Sequence, residues 1–197
     1  MKNKNHLLRG LYGITDADLL PNPEILYQSV EEALRGGMQI LQYRDKQNNH
    51  ATQLKQAATL KELCDNYSAL LIINDSVELT KAVGAHGVHL GRDDGDVMNA
   101  RNLLGSDVII GCSCYNSLSQ AQQMEALGVD YVAFGRFFKS STKPEAKSAD
   151  INLLQQSKTL IDIPVCAIGG ITTENAALLI QQGVDMLAVI HELFSTR

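Results

Sequence analysis

Short apolar runs alternate with longer helix-like segments along the whole chain, and this alternation constrains the fold more than any other feature. Eight runs of four or five residues are rich in residues that favour strands: residues 11–15, 40–43, 70–73, 87–90, 108–112, 131–134, 165–168 and 186–190. Apolar residues recur three and four apart in the segments between them, including residues 24–35, 51–67, 117–127 and 173–182. This spacing is typical of amphipathic helices. The alternation therefore predicts a chain of βα units.

Eight such units favour a closed parallel barrel over an open doubly wound sheet. An open dinucleotide-binding sheet normally has G-x-G-x-x-G after its first strand, and residues 10–13 do not supply it. The 197 residues suffice for one substantial core. We therefore expect an α/β fold, a (βα)8 TIM barrel with a shortened final helix, formed by residues 1–197 as a single domain.

The last predicted strand is followed by very little chain, so the eighth helix is expected to be about one turn long. Its small size would leave the seam between the eighth and first strands partly open. We expect residues 5–10 or a partner subunit to cover that seam, and the sequence leaves a homo-oligomer open.

The charge balance limits the classes of partner. Lys and Arg number 17 and Asp and Glu number 22, which gives a net charge of −5. This balance argues against nucleic acid or an anionic membrane as the main partner. The polar start of the chain lacks the apolar run of a signal peptide, and the chain contains no membrane-length apolar stretch. We expect a cytoplasmic protein whose four cysteines are buried thiols.

Polar residues collect where the predicted strands end, which is where TIM barrels carry their chemistry. Arg44, Lys46 and Lys143 are cations suited to phosphate. Gln42 shares the strand parity of Arg44 and Lys46, so all three are expected to face inward together. A single cation of this kind would more often be a solvated surface charge, but their convergence favours an anion site.

Two aspartates end neighbouring predicted strands, Asp75 and Asp94. Two carboxylates brought together repel each other unless a cation joins them, and Mg²⁺ binds carboxylates together with phosphate oxygens. The alternative is that they are turn aspartates bonded to their own backbone. His86 and His89 flank the fourth strand and lack further zinc ligands nearby in the sequence, so we expect both to be structural.

A glycine pair, Gly169-Gly170, follows the seventh predicted strand. Glycines let backbone N–H groups approach a ligand closely, and this loop is a usual phosphate site in TIM barrels. The hydroxyls beside Lys143 in S-S-T-K also suit an anion. Two separate cradles, one linked to the metal and one formed by hydroxyls and backbone, predict two phosphorylated substrates or one bisphosphate.

Six motifs together resemble the thiamine-phosphate synthase family. They are Q-Y-R-D-K at residues 42–46, I-N-D at 73–75, G-V-H-L-G-R-D-D at 87–94, G-R-F-F-K-S-S-T-K at 135–143, A-I-G-G-I at 167–171 and A-V-I-H at 188–191. The resemblance covers essentially the whole chain in the family's order. It implies an enzyme that joins 4-amino-5-hydroxymethyl-2-methylpyrimidine diphosphate to 4-methyl-5-(2-phosphoethyl)thiazole, or its carboxylated form, and releases diphosphate.

The resemblance also implies roles for individual residues. The mechanism that the resemblance implies is dissociative: diphosphate would leave first, a pyrimidinylmethyl cation would form, and the thiazole nitrogen would attack it. The residues implied to act in catalysis are Arg44, Lys46, Ser113 and Lys143. Asp75 and Asp94 are implied to bind Mg²⁺. The residues implied to bind the two substrates are Gln42, Tyr43, Arg44, Asp45, Lys46, Asn74, Ser113, Ser140, Ser141, Thr142, Lys143, Gly170, Ile190 and His191.

Two alternatives are weighed against this interpretation. A related barrel isomerises a thiazole carboxylate phosphate but typically lacks the metal aspartates and the diphosphate cations. A phosphate-binding barrel without activity would be expected to lose the catalytic charges while keeping Gly169-Gly170. The synthase is favoured because the chain keeps all the residues of the metal and diphosphate sites together: Asn74, Asp75, Asp94, Arg44, Lys46 and Lys143.

Overall fold

The computed structural model describes residues 4–91, 96–139 and 149–195 and shows strands and helices in strict alternation. The strands are β1 Gly10–Ile14, β2 Ile40–Tyr43, β3 Leu70–Asn74, β4 Gly87–Leu90, β5 Ile109–Tyr115, β6 Tyr131–Gly135, β7 Val165–Ile168 and β8 Met186–Val189. The helices are α1 Pro23–Arg35, α2 His50–Asn66, α3 Val77–Val83, α4 Val97–Leu104, α5 Leu118–Ala126, α6 Asn152–Leu160, α7 Ala176–Gln181 and α8 His191–Phe194. A short 3-10 helix, Asn5–Leu7, precedes β1.

The eight strands close into a parallel barrel in sequence order, because β1 pairs with β8 as well as with β2. The predicted (βα)8 TIM barrel with a shortened final helix is confirmed. Among the described residues, no helix combines the length and the apolarity needed to cross a membrane.

Polar side chains define where most of the longer helices begin. Each accepts a hydrogen bond from a backbone N–H of the first helical turn, which would otherwise lack an intrahelical partner. The residues that cap helices in this way are Asn22, Asn49, Ser76, Asp96 and Ser117.

The predicted boundaries lie within one residue of the observed ones except in two elements, each of which differs by three residues at one end. β5 continues past the predicted end at residue 112, because Ser113 and Tyr115 still pair with β6 across an irregularity in the register. Helix α7 begins at Ala176 and not at residue 173, since the Asn175 side chain accepts from the backbone N–H of Thr172 at 2.9 Å and folds that segment into a turn. Ser113 therefore lies within a strand.

The core has an inner part and an outer part. Inside the barrel, Tyr12, Ile40, Ile72 and Tyr131 belong to one buried cluster. Two further clusters pack between the strands and the surrounding helices. Leu8, which is fully buried, joins the inner cluster from below β1, so the N-terminal segment closes the lower end of the barrel.

A buried ionic network ties this lower end together. Lys4 Nζ lies 3.1 Å from Asp130 Oδ1 and donates to the carbonyl of Val108 at 3.0 Å. Arg101 donates to Asp130 Oδ2 at 2.7 Å, and the backbone N–H of Ile110 donates to the same oxygen at 2.8 Å. This end of a TIM barrel carries residues that stabilise the fold.

The short final helix covers the seam between β8 and β1. Phe194 is buried in an outer cluster, and Leu193 packs against both outer clusters. Both side chains lie directly over Gly13, where an added Cβ would come within 2.9 Å of Leu193 and 3.4 Å of Phe194. The expectation that residues 5–10 cover this seam is wrong, because those residues lie at the lower end and Gly10 itself pairs with β8.

Candidate active site

A cavity of about 360 Å³ opens at the carboxyl ends of the strands. Its floor is formed by residues within the strands, and its mouth by residues that follow the strands. Seven of the residues predicted from the sequence line this cavity: Gln42, Arg44, Asn74, Ser113, Gly170, Ile190 and His191. The barrel therefore brings together side chains from β2, β3 and β5 with the loops after β7 and β8.

The floor carries a continuous chain of five hydrogen-bonded side chains, which we call the floor relay. Gln42 Nε2 donates to the Tyr12 hydroxyl at 2.7 Å, and the Tyr12 and Tyr131 hydroxyls are 2.8 Å apart. The Tyr131 hydroxyl lies 2.8 Å from His89 Nδ1, and His89 Nε2 lies 2.9 Å from Ser113 Oγ. The relay thus joins two predicted substrate-binding residues, Gln42 and Ser113, through three residues inside the barrel.

Burial keeps the phenols of the relay protonated. It raises the pKa of Tyr12 above its ordinary value, and the hydrogen bonds that join Tyr12 to Tyr131 and Gln42 offset only part of that rise. Burial also raises the pKa of Tyr131, with a further rise from Tyr12 beside it. Desolvation of this kind disfavours the phenolate. The two phenols are therefore neutral at neutral pH.

The loop after β6 lies directly on the glycine pair after β7. Phe137 N–H donates to the Ile168 carbonyl at 3.1 Å, and Phe138 N–H donates to the Gly169 carbonyl at 3.0 Å. Gly170 has φ +63°, and a Cβ at this position would lie 2.2 Å from the carbonyl oxygen of Lys139. Glycine is thus required here by both the backbone conformation and the close approach.

Asn175 holds the same glycine loop from the other side. Its Nδ2 donates to the Gly170 carbonyl at 2.9 Å, while its Oδ1 accepts from Thr172 N–H. Asn175 was not among the predicted site residues. The sequence carried no signal for it, because the predicted helix of residues 173–182 placed Asn175 inside its first turn.

Asp75 lies at the end of β3 beside two predicted partners. Asn74 Nδ2 donates to Asp75 Oδ2 at 2.6 Å, and Lys46 Nζ lies 3.4 Å from the same oxygen. The backbone of Asp75 has φ +64°, an uncommon conformation for a residue other than glycine. Such conformations are concentrated at functional sites. The structure therefore groups Asp75 and Lys46 beside Asn74, which lines the cavity. Lys46 and Asp75 themselves are not lining residues, so Lys46 does not face inward with Gln42 and Arg44 as expected.

Tyr43 and Asp45 are held away from the cavity. Tyr43 is buried in an outer cluster, where its hydroxyl donates to Gln56 Oε1 at 2.6 Å. Burial acts to raise the pKa of the Asp45 carboxyl, but hydrogen bonds from Asn48, Gln47 and Tyr43 outweigh it and lower the pKa. Asp45 therefore shapes the turn that carries Lys46.

Five predicted site residues lie outside the described residues: Asp94, Ser140, Ser141, Thr142 and Lys143. Within the described part of the chain, no three His, Cys, Asp or Glu side chains come together in a way that suits a metal ion.

The two histidines beside β4 have different surroundings. His86 accepts from the backbone N–H of Leu71 at 2.9 Å, and burial lowers its pKa, so it is structural as expected. His89 belongs to the cavity floor instead. The residues of the floor that sequence analysis missed are Tyr12, Tyr131 and His89. Along its own strand, each of these residues alternates with its neighbours as an ordinary core residue does, so the sequence pattern did not distinguish them.

The charged residues lining the mouth are mostly cationic. Arg44, Arg136 and Lys139 line the cavity, and Glu192 is the carboxylate among the described lining residues. Arg136 and Lys139 belong to the loop after β6, which the sequence marked as a strand end. This mouth favours an anionic group, whereas the floor below it consists of neutral hydrogen-bonding side chains.

Comparison with known proteins identifies similar sequences and structures. A family model described as Thiamine monophosphate synthase matches residues 11–193. A thiamine-phosphate synthase of Saccharophagus degradans is 50% identical over 190 residues, covering 96% of this chain and 88% of the relative. A thiamine phosphate pyrophosphorylase from Pyrococcus furiosus matches with a TM-score of 0.88 and 35% identity, covering 99% of this chain and 91% of the other.

A more distant match shows only a shared fold. An N-acetylmannosamine-6-phosphate 2-epimerase from Clostridium perfringens has a TM-score of 0.72 and 16% identity, over 95% of this chain and 89% of the other. Barrels with different chemistry therefore share this architecture, and the residues of the cavity must distinguish them.

Proposed function

The chain belongs to the thiamine monophosphate synthase family, and from this premise we propose how its cavity carries out the reaction. The activity is that of a thiamine-phosphate synthase, which is a transferase of thiamine biosynthesis. The 50% identity to a synthase over nearly the whole chain favours this activity over the isomerase and over a phosphate-binding barrel without catalysis.

The observation that carries the proposal is the division of the cavity into a cationic mouth and a neutral floor. Arg44, Arg136 and Lys139 supply positive charge at the mouth. The floor relay offers hydrogen bonds from uncharged groups below them. A substrate with an anionic tail and a neutral heteroaromatic ring matches both parts, with the diphosphate at the mouth and the pyrimidine on the floor.

The proposed reaction breaks the bond between the pyrimidine methylene carbon and the diphosphate oxygen, and the electron pair leaves with the diphosphate. The lone pair of the thiazole nitrogen then forms the new C–N bond. The protein needs no nucleophile for this sequence of steps. Arg44 and Lys46 would stabilise the charge that develops on the leaving diphosphate, and we propose the same role for Lys143, because preorganised cations lower such barriers effectively.

The donor set at the end of β3 fits Mg²⁺. Asp75 offers a partly exposed carboxylate beside Asn74 and Lys46, and Mg²⁺ binds one or two carboxylates together with substrate phosphates. We propose that Asp75 and Asp94 would hold this ion. When bound, Mg²⁺ neutralises diphosphate charge. Lys46 adds a second positive charge next to the same carboxylate.

The second anion site is proposed at the glycine loop. The close approach of Lys139 to Gly170 brings the loops after β6 and β7 together, and Ile190 and His191 line the same side. We propose that Gly170, Ile190 and His191 bind the thiazole phosphate together with Ser140, Ser141 and Thr142. Two anion sites on one cavity would serve the two phosphorylated substrates.

Three further proposals concern the whole molecule. The chain acts as a single TIM-barrel domain, supported by the closed barrel. A cytoplasmic location is supported by four cysteines that are buried as free thiols. The substrates are small molecules, and nucleic acid and membranes are not proposed as partners.

The test incubates the purified protein with both substrates and Mg²⁺ and follows diphosphate release together with thiamine phosphate formation. Diphosphate release should require both substrates and should equal thiamine phosphate formation mole for mole. It should stop when EDTA removes the metal. Isomerisation of a thiazole carboxylate phosphate without diphosphate release would instead favour the isomerase. Substrate binding without either reaction would favour the barrel without catalysis.

A further inference from the structure

We propose that Tyr12, Tyr131 and His89 are positioning residues that fix the hydrogen-bonding polarity of Gln42 and Ser113, so that the cavity floor selects an amino-substituted pyrimidine. None of the three needs to touch the reacting atoms. The proposal rests on the proposed function, because it concerns the same cavity and one of its substrates.

The direction of the hydrogen bonds follows from Gln42 and from burial. Gln42 Nε2 can only donate, so the Tyr12 oxygen accepts. A buried hydroxyl proton needs an acceptor, and the Tyr131 oxygen bonded to Tyr12 can accept it, so we infer that Tyr12 donates to Tyr131. Tyr131 then accepts from Tyr12, and its own hydroxyl proton is donated to His89 Nδ1. One donor at one end therefore sets the direction of every bond along the chain.

This direction decides the state of His89. A ring nitrogen that accepts a hydrogen bond carries no proton, so Nδ1 is unprotonated and the proton of the neutral ring lies on Nε2. Nε2–H then donates to Ser113 Oγ across 2.9 Å. Ser113 keeps its own hydroxyl proton as a donor to a ligand, while Gln42 keeps its carbonyl oxygen as an acceptor.

Burial prevents the relay from reversing through ionisation. Tyr12 and Tyr131 are among the largest fully buried side chains of the protein. A phenolate at either position would be a buried charge, which burial opposes strongly. The raised pKa values of both phenols agree with this. The relay therefore transmits polarity without carrying charge.

The barrel provides space for this relay at one position. Gly111 pairs with both His89 and Tyr131 in the sheet, so it lies between them. A Cβ on Gly111 would come within 2.0 Å of the Tyr131 ring and 2.5 Å of its hydroxyl oxygen. The absent side chain lets the Tyr131 ring occupy the space beside His89.

The polarity has a consequence for specificity. An acceptor and a donor on one floor complement an amino group and an unprotonated ring nitrogen. A 4-oxo analogue in its lactam form presents the reverse pattern, a carbonyl oxygen and a ring N–H. Sites built to pair with one such pattern discriminate strongly against an analogue that leaves buried groups unpaired.

The first test measures the ratio of kcat/KM for the amino substrate to that for its 4-oxo analogue. In Tyr12→Phe and Tyr131→Phe the ring stays but the relay is cut, so the Gln42 amide can turn over and the ratio should fall at least about tenfold. Tyr67→Phe is the matched control, since its hydroxyl bonds to Glu31 and Arg35 on the outside of the barrel. The control should keep the wild-type ratio.

Unchanged ratios in both relay variants would overturn the proposal, as would an equal fall in the control. Circular dichroism and thermal melting establish that each variant is folded. A second measurement, nitrogen NMR of the histidine rings, needs no substrate. The signals of His89 are those that disappear from the spectrum of His89→Asn. An unprotonated Nδ1 and a protonated Nε2 are expected in the wild type. Tyr131→Phe should shift this balance between the two tautomers.

A wild-type ring protonated at Nδ1 would overturn the relay whether or not the enzyme is active. Failure of the wild type to form thiamine phosphate would instead overturn the proposed function, and the NMR result would still decide the polarity of the floor. The two failures are therefore distinguishable.

Discussion

Replacing Gly170 by alanine should separate the effect of the close loop contact from the effect of backbone conformation. The chain provides a matched control, because Gly84 has φ +61° and Gly170 has φ +63°. An added Cβ at Gly84 has open space around it, whereas at Gly170 it would lie 2.2 Å from the Lys139 carbonyl oxygen. The two substitutions therefore share a conformational cost and differ in the contact with the loop after β6, where the new Cβ would meet the backbone of Phe138 and Lys139.

The magnitude follows from these two terms. A left-handed conformation costs an alanine about 1–2 kcal/mol relative to glycine. Nonbonded atoms of this kind need more than about 3 Å, so the Lys139 backbone must also move by about 1 Å in Gly170→Ala. A displacement of about 1 Å in a positioning segment can cost about a hundredfold in rate.

The assay is thiamine phosphate formation with varied thiazole phosphate, together with thermal unfolding. Gly84→Ala should lower Tm by about 2–6 °C, which is that conformational cost divided by the unfolding entropy of a chain of this size. It should leave kcat/KM unchanged. Gly170→Ala should lower Tm at least as much and reduce kcat/KM about a hundredfold. A folded Gly170→Ala enzyme with wild-type kcat/KM would refute the idea that this contact positions the site.

Three further substitutions test other parts of the molecule. Asp75→Asn should lower turnover at least about a hundredfold in the diphosphate-release assay, because it removes the carboxylate proposed to hold Mg²⁺. Asp130→Ala leaves Lys4 and Arg101 without their buried partner and should lower the free energy of unfolding by about 3 kcal/mol in urea titrations. The lowered pKa of Asp45 stabilises the fold above the ordinary carboxyl pKa of about 4, and this contribution is lost as the pH falls through the folded value. Asp45→Asn should therefore flatten the pH dependence of stability in that acidic range.

The sequence predicted the barrel because each unit carries its own signal. Every strand is a short apolar run, each helix has its own periodicity, and no step depends on distant parts of the chain. The strand-end rule also found much of the cavity, including Arg44 and Gly170. The strand-end rule worked less well within the Q-Y-R-D-K motif at residues 42–46, where not every residue reaches the cavity. Tyr43 and Asp45 stand between inward-facing neighbours, and strand alternation directs Tyr43 to the outer core.

The floor relay could not be predicted in the same way. Tyr12, Tyr131 and His89 lie on three strands that are distant in sequence, and their polar atoms meet only after the barrel closes. Single tyrosines and histidines in apolar strands are common in protein cores. What distinguishes these three is their mutual hydrogen bonding, which depends on stagger between strands and on the space beside Gly111.

The contrast between floor and mouth follows from the architecture itself. Side chains within the strands point into a closed interior from which water is largely excluded, so polar groups there must satisfy one another and stay neutral. Side chains just beyond the strands reach solvent, where Arg44 and Lys139 can remain charged at little cost. A parallel barrel therefore places neutral recognition below and charge stabilisation above in one cavity. In the placement proposed above, a neutral ring joined to a diphosphate would span this boundary, and the bond that breaks would lie where the two environments meet.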